Sequence, residues 1–326
     1  SYMPVASLVP IKPNVRLIYD RATSIDRAAR TVKTESGKTY SYDYSIIGLG
    51  VVTSYFGIKG LEEFSYSVKS SKAFDDFRRH LHSELKKKKS LDKNYVIVGA
   101  GPTGVELAAA LRSYLKSVAK HHGVRKTKVN MQLVEAAPRV LPMRSNAASR
   151  LTRKRLRQLG VVVRTGTVVK GETADTLTVG HESVPTHTVV WTAGVTNNKF
   201  FTDNPGQFVL NDKKRVIVDG HLQVDKHLFV IGDSAATPYS GLALTALHNA
   251  GYVAGVIKKR LAGKKIDGIK PYKPLKPVTI IPVGEDWSIL QWRKLVISGR
   301  FASWLRTIYD FIGYAEVMGP HAASLI

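Results

Sequence analysis

The chain has 326 residues, 44% of them hydrophobic, and 49 Lys and Arg stand against 25 Asp and Glu, a formal charge of +24. That length predicts two domains or three, and the charge favours an anionic partner such as an acidic membrane surface or a phosphate-bearing ligand. The absence of cysteine excludes disulfides and thiolate-bound metal in this stretch, and no run of about 18 uncharged apolar residues exists to span a bilayer.

In chain order, Asn14–Asp20 and Ala29–Lys33 read as strands flanking a turn at Asp26, with Glu35–Lys38 as a hairpin tip. Tyr44–Leu49 reads as a short buried strand ending at Gly50. Gly37-Lys38-Thr39 imitates the end of a phosphate-binding P-loop, but Val32 stands where its first glycine belongs. Ser70–Lys88 predicts a helix with Phe74, Phe77, Leu81 and Leu85 on one face, and Lys86–Lys89 as its solvated end. Tyr95–Val98, a helix from Gly104 to Ala119 and Val129–Val134 form a βαβ unit, which requires parallel strands. Residues 161–191 alternate like a meander, Val216–Val218 and Leu228–Ile231 are further strands, and Leu242–Leu261 is a helix.

Lys258–Lys276 holds eight basic residues and one acid and reads as a linker into a separate C-terminal piece. There, Ser298–Ala315 places Phe301, Trp304, Leu305, Ile308, Phe311, Ile312 and Ala315 on one helical face, with Arg300, Ser303, Arg306, Thr307 and Asp310 opposite. Such a helix suits either the protein's own core or a membrane interface with Trp304 and Tyr309 at headgroup depth. In the second case Lys258–Lys276 adds attraction to anionic lipid.

The stretch Val96–Glu106 carries Gly99, Gly101 and Gly104 in the G-x-G-x-x-G spacing, directly after a strand and opening a helix. Gly99 permits a tight turn, Gly101 lets backbone approach a pyrophosphate, and Gly104 allows close helix–strand packing. The helix start then offers N–H groups to the anion, with Pro102 and Thr103 in its first turn. Glu135 ends the next strand, where a carboxylate accepts from ribose hydroxyls and favours NADH over NADPH. Lys116–Lys128 lengthens the usual interval as a polar insertion, and Arg139 lies near enough to serve a 2′-phosphate instead. Later, Leu228–Ala235 reads as a strand ending in Gly232-Asp233, which puts a carboxylate where ligands bind in α/β sheets.

Together these segments resemble the type II (non-proton-pumping) NADH dehydrogenases, among the flavoproteins with two dinucleotide-binding domains. The matching stretches are Tyr42–Gly50, Tyr55–Ile58 with Gly60-Leu61, the Gly99–Glu106 loop, Val134–Ala136 with Pro138-Arg139, Leu141-Pro142, Val190–Val195 and Gly232-Asp233. The resemblance implies an α/β fold of two Rossmann-like, doubly wound domains, the first incomplete, plus a C-terminal amphipathic membrane-docking region. Its implied divisions are residues 1–92 and 193–262 for FAD, 93–192 for NADH, and 263–326 for membrane association. It also implies that Asp233, Gly232 and Gly50 hold FAD and that Gly99, Gly101, Pro102, Thr103, Gly104 and Glu135 hold NADH. Ala193 and Gly194 would lie at the crossing near the nicotinamide, and Glu106 beside the nicotinamide–flavin stack, where it assists proton delivery or simply favours the helix dipole.

Three departures qualify the match. The family's N-terminal FAD glycine loop is missing from this chain, which reads as a truncation. The Ala-Gln…Gln pattern near the quinone is replaced, leaving Thr245 and Asn249 as the quinone-side candidates. Gly48-Leu49-Gly50 stands where relatives often have Ala-Thr-Gly. The implied activity is NADH:quinone oxidoreduction by a peripheral protein on the cytoplasmic face of the membrane. The alternatives are a soluble reductase like those serving ferredoxin, or a non-catalytic NADH-binding module. No nucleic-acid motif and no metal-ligand spacing among the ten histidines is visible, and a homodimer is left open.

Overall fold

A computed structural model describes residues 13–88, 92–124 and 129–318. The chain folds into two compact units, one from residues 53–194 and 278 onward, the other from residues up to 52 and 195–277.

The first unit is built on four parallel strands in the order Thr188–Trp191, Asn94–Val98, Asn130–Glu135, Val161–Thr165. A parallel sheet is covered on both faces, so its strands are apolar throughout rather than alternating. Tyr95, Ile97, Met131, Leu133 and Val134 are accordingly fully buried. The helices Pro102–His121 and Asn146–Gln158 make the crossovers, and Ser145 Oγ caps the second by accepting the Ala148 N–H at 3.2 Å.

The expected meander over 161–191 is shorter than its alternation suggested. Only Val169–Glu172, Thr176–Val179 and Glu182–Pro185 form the antiparallel insert, while Thr188–Trp191 returns to the parallel sheet. Burial explains the division: every residue of Thr188–Trp191 is buried, but only Val184 of Glu182–Pro185 is. Helix Ser71–Lys88 buries Phe77, Leu81 and Leu85 as expected, whereas Phe74 lies outside the packed stripe and is half exposed.

Residues from 278 onward are not a detached piece. Strands Thr279–Pro282, Ser288–Trp292 and Leu295–Gly299 form an antiparallel sheet, and helix Arg300–Met318 follows. Ile281, Val283 and Ile289 share one hydrophobic core with Leu111 and Leu115 of the Pro102–His121 helix. Residues 53–88, expected with the flavin domain, likewise cluster with this unit.

Among the described residues of the second unit the first strand is Ala22–Asp26, not Asn14–Asp20. Asp26 Oδ1 accepts the Ala29 N–H at 2.9 Å and closes the turn, which sets the hairpin with Thr31–Thr34. Thr39–Ser41 completes that sheet past the expected hairpin tip at Gly37 (φ +83°). A second sheet runs Gln223–Asp225, Leu228–Val230, Ser45–Ile47, its last two strands parallel.

Val216–Val218 is not a strand. Val216 alone makes bridges, because Asp219 Oδ1 accepts the His221 and Gln223 N–H groups and turns the chain at once. The basic segment 258–276 is not a free linker either. It finishes helix Ala243–Leu261, then buries Ile269 and ties Tyr272 N–H to Gly220 O at 2.8 Å while its lysines stay exposed.

Candidate functional site

The Gly99–Gly104 turn leaves the carboxyl end of the central strand under tight steric constraint. Gly99 has φ +101°, and a Cβ there would lie 2.6 Å from the Ala193 Cα. A Cβ on Gly104 would sit 1.8 Å from Gly99 O and 2.7 Å from Thr192 Oγ1. Gly101 differs: nothing lies within 4 Å of where its Cβ would be. Two of the glycines are thus required by packing, and the third leaves an open approach at the helix start. No side chain caps that start, Pro102 occupies the first turn, and Pro102 and Thr103 are exposed. Uncapped N–H groups and the helix dipole suit an anion. Thr192, for which no sequence motif signals a role, locks the turn by donating Oγ1 to Val98 O at 2.8 Å and Gly99 O at 3.0 Å.

Glu135 is bound into the same turn. Its Oε2 accepts the Ala100 N–H at 2.6 Å and its Oε1 the Ala137 N–H at 2.8 Å. The carboxylate is therefore fixed at the strand end with lone pairs left for hydroxyl donors. Arg139 is committed elsewhere, donating to Arg144 O at 2.6 Å and Pro142 O at 2.7 Å. Ala193 is exposed beside Gly99, and Gly194 is pinned, since a Cβ on it would meet Ser54 O at 2.4 Å and the Phe56 ring at 2.6 Å.

Glu106, one helical turn further on, is half-buried, and burial pushes its carboxyl up to about 7. The Arg306 guanidinium 3.9 Å away opposes that shift, and Asp310 reinforces it. Arg306 also binds Asp310 Oδ2 through Nε at 2.9 Å. No sequence signal joins Glu106 to a residue two hundred positions later. Glu106 borders a groove of about 880 Å³ along the helix, lined also by Thr103, Ala110, Ser113, Phe74 and Pro282.

In the second unit Gly50 and Gly232-Asp233 follow the carboxyl ends of the adjacent parallel strands Ser45–Ile47 and Leu228–Val230. They line a cavity of about 370 Å³ with Gly48, Gly241 and Ala243. Gly50 and Gly232 both have φ +65°, and nothing lies within 4 Å of a Cβ on Gly50. Asp233 Oδ1 accepts the Gly241 N–H at 2.7 Å, which folds the following loop back over the strand end. Ser234 Oγ donates to Gly50 O at 3.0 Å. Asn249 is fully buried and its Oδ1 accepts the Gly232 N–H at 3.0 Å, and Thr245 is buried on the same helix. Asn249 thus backs the Gly232 turn.

Residues 6–251 match the family model described as pyridine nucleotide-disulphide oxidoreductase. The chain is 28% identical to the type II NADH:quinone oxidoreductase of Staphylococcus epidermidis, over 92% of this chain and 77% of that protein. It is 29% identical to the type II NADH:quinone oxidoreductase of Mycobacterium tuberculosis, over 92% of this chain and 70% of that protein. Its fold matches the structure of NDH2 from Plasmodium falciparum in complex with NADH, with a TM-score of 0.80 at 14% identity over 94% of this chain and 82% of that one. The family model spans three quarters of the sequence, and the chain belongs to the pyridine nucleotide-disulphide oxidoreductase family.

Proposed function

We propose that this protein oxidises NADH by way of bound FAD and passes the electrons to a membrane quinone. The observation that carries the reading is the Gly101 opening at an uncapped helix start, with Glu135 fixed in the same turn. Relatives named for this reaction, matched over most of their length, support it. The residues fit both nucleotides: two glycines whose missing Cβ atoms leave open space, Gly101 and Gly50, each stand beside a strand-end carboxylate.

Gly99, Gly101, Pro102, Thr103 and Gly104 would hold the NADH pyrophosphate, with Glu135 accepting from ribose hydroxyls. Arg139, spent on backbone carbonyls, offers little to a 2′-phosphate, which supports NADH over NADPH. Gly50, Gly232 and Asp233 would hold FAD, Asp233 through the oxygen not given to Gly241. Bound FAD supplies the hydride acceptor and the relay of electrons onward. Glu106, with its proton affinity near neutrality, would hold and release a proton at its carboxyl oxygen. Asn249 supports the Gly232 turn from behind and Thr245 is buried on the same helix, and their part in quinone selection is the quinone-side element of this proposal.

Docking would be peripheral, on the cytoplasmic face of the membrane. Among the described residues no helix is long and apolar enough to cross a bilayer. The Arg300–Met318 helix turns Arg306 and Tyr309 toward the protein and leaves Phe301, Trp304, Ile308, Phe311 and Ile312 exposed. The neighbouring hairpin tip adds exposed Trp292 and Leu295 around exposed Arg293 and Lys294. An outward apolar stripe on the helix and a basic, aromatic hairpin tip on the same sheet suit an anionic lipid surface.

The test is FAD content and NADH oxidation by the full-length protein with short-chain quinones, together with liposome flotation. Stoichiometric FAD, quinone-dependent turnover and flotation are expected. A flavin-loaded protein that ignores every quinone and stays unfloated is a soluble reductase, and a protein that binds NADH without FAD is a nucleotide-binding module.

A further inference from the structure

Beside the glycine turn an aromatic ring stands in the open on a backbone that resists it. Phe56 has φ +53° and Gly57 φ +68°, and the Ile58 N–H donates to Tyr55 O at 3.0 Å, closing a tight turn whose two central residues are both left-handed. Glycine and asparagine suit such positions, and a bulky side chain there is strained. Tyr55 and Ile58 seat the turn by packing against the core of Val96, Val98 and Trp191. Phe56 does not join that core and is 66% exposed. Neither the turn nor the core requires this ring, and backbone strain of this kind is kept where a side chain serves a site.

The ring is nonetheless held in place. Its outer edge lies against Gly194, where a Cβ would come within 2.6 Å of Phe56 Cε2 and 2.7 Å of Cζ. The missing side chain of Gly194 thus makes room for the ring. Trp191 meets it edge-on, with ring centroids 6.3 Å apart at 69°. Trp191 is itself fixed, being 4% exposed and donating Nε1 to Ser54 O at 2.8 Å. The Ser54 N–H donates in turn to Gly194 O at 3.1 Å, which ties the stem of the turn to the same strand end.

Strand order tells which part of a dinucleotide reaches this place. Thr188–Trp191, Asn94–Val98 and Asn130–Glu135 are consecutive parallel strands. A pyrophosphate at the Gly101 opening lies over the end of the middle strand, and Glu135 draws the adenosine ribose toward the end of one neighbour. The other half of an extended dinucleotide then leaves toward the end of the other neighbour, one strand spacing of about 4.8 Å to the side. That end carries Thr192, exposed Ala193, and Gly194 with Phe56 upon it. Ala193 is also the residue that a Cβ on Gly99 would strike, so the glycine turn and the Phe56 ring flank one and the same residue.

We propose that Phe56 packs its ring against the nicotinamide half of NADH and sets how that ring lies, an assignment that rests on the dinucleotide reading of the Gly99–Gly104 turn. A rigid aromatic face stacks on a planar heterocycle without needing a hydrogen-bond partner. The helix start and Glu135 hold the pyrophosphate and the adenosine, and Phe56 supplies the contact at the opposite end of the ligand.

The test compares NAD⁺ with ADP-ribose, which has the same adenosine and pyrophosphate but no nicotinamide, by calorimetric titration into the oxidised full-length protein. The variant is Phe56→Asn, because asparagine accepts the left-handed turn, and its Tm should hold or rise. Its Kd for NAD⁺ is expected to rise about tenfold, the scale of one stacked base, and its Kd for ADP-ribose to stay within about twofold. Phe56→Tyr should restore wild-type binding of NAD⁺, and the KM for NADH should follow the same order. Equal weakening of both ligands, or weakening of neither, overturns the assignment while the nucleotide reading of the glycine turn stands. A steep fall in the Tm of Phe56→Asn also overturns it, since the ring would then serve packing. A wild-type protein that binds neither ligand overturns the dinucleotide reading itself, and this assignment with it.

Discussion

The Ala100 N–H and Glu135 Oε2 are joined at 2.6 Å, so the carboxylate at the end of one strand holds the glycine turn at the end of its neighbour. Glu135→Gln would present an amide donor to at least one of two backbone donors. With hydrogen bonds to charged groups contributing about 1.5–3 kcal/mol, the KM for NADH is expected to rise about 10–100-fold with kcat less affected. Steady-state kinetics with NADH and NADPH would check this, and NADPH use should not improve, since Arg139 stays bound to Pro142 O and Arg144 O.

Gly101 and Gly104 separate ligand approach from packing. Gly104→Ala drives a methyl against Gly99 O at 1.8 Å and should lower Tm steeply or prevent soluble expression. Gly101→Ala meets nothing within 4 Å, so Tm should stay within a degree or two while the NADH Kd rises at least tenfold. Melting and NADH fluorescence titration on the pair would distinguish them. Unchanged affinity in Gly101→Ala would contradict the pyrophosphate assignment.

Glu106 and Glu172 are both pushed up to about 7 by burial, Glu106 against the pull of Arg306 and Glu172 against its hydrogen bond from Ser65. Between the ordinary value of 4.5 and 7 the folded state holds more protons than the unfolded one, so stability falls as pH rises through that window. Glu172→Gln should therefore raise stability by about 2–3 kcal/mol at pH 8 and change little at pH 4.5. Only Glu106→Gln should also remove an apparent pKa near 7 from the pH–rate profile. Denaturant melts at the two pH values and initial rates across pH 5.5–8.5 measure both effects.

Trp304→Ser with Phe301→Ser removes two exposed, mutually stacked rings from the Arg300–Met318 helix. Flotation with anionic liposomes should fall at least tenfold, while NADH oxidation with a water-soluble acceptor stays within twofold. Arg293→Glu with Lys294→Glu should weaken flotation most at low salt.

The glycine turn was legible in the sequence because its requirements are local: a strand, three positions without side chains and a helix start. The strand at Ala22–Asp26 was misplaced because Val15, Leu17 and Ile18 are apolar yet exposed, while the decisive contact is the small Asp26–Ala29 turn. The apolar stripe on the last helix was visible, but not its direction. Seven periodic residues suit a core as well as a surface, and only the inward contacts of Arg306 and Tyr309 decide. The Glu106–Arg306 and Phe56–Gly194 groupings were hidden for one reason: tertiary packing, not spacing, brings them together.

Arg306 divides its charge between an acid of its own helix and an acid on the helix that follows the glycine turn. Lifting Arg300–Met318 would take the cation and Asp310 away from Glu106 together and let water in. The readiness of Glu106 to give up its proton is thus tied to how firmly the terminal helix is seated. A chain adsorbed to lipid and one free in solution need not share the same pH optimum.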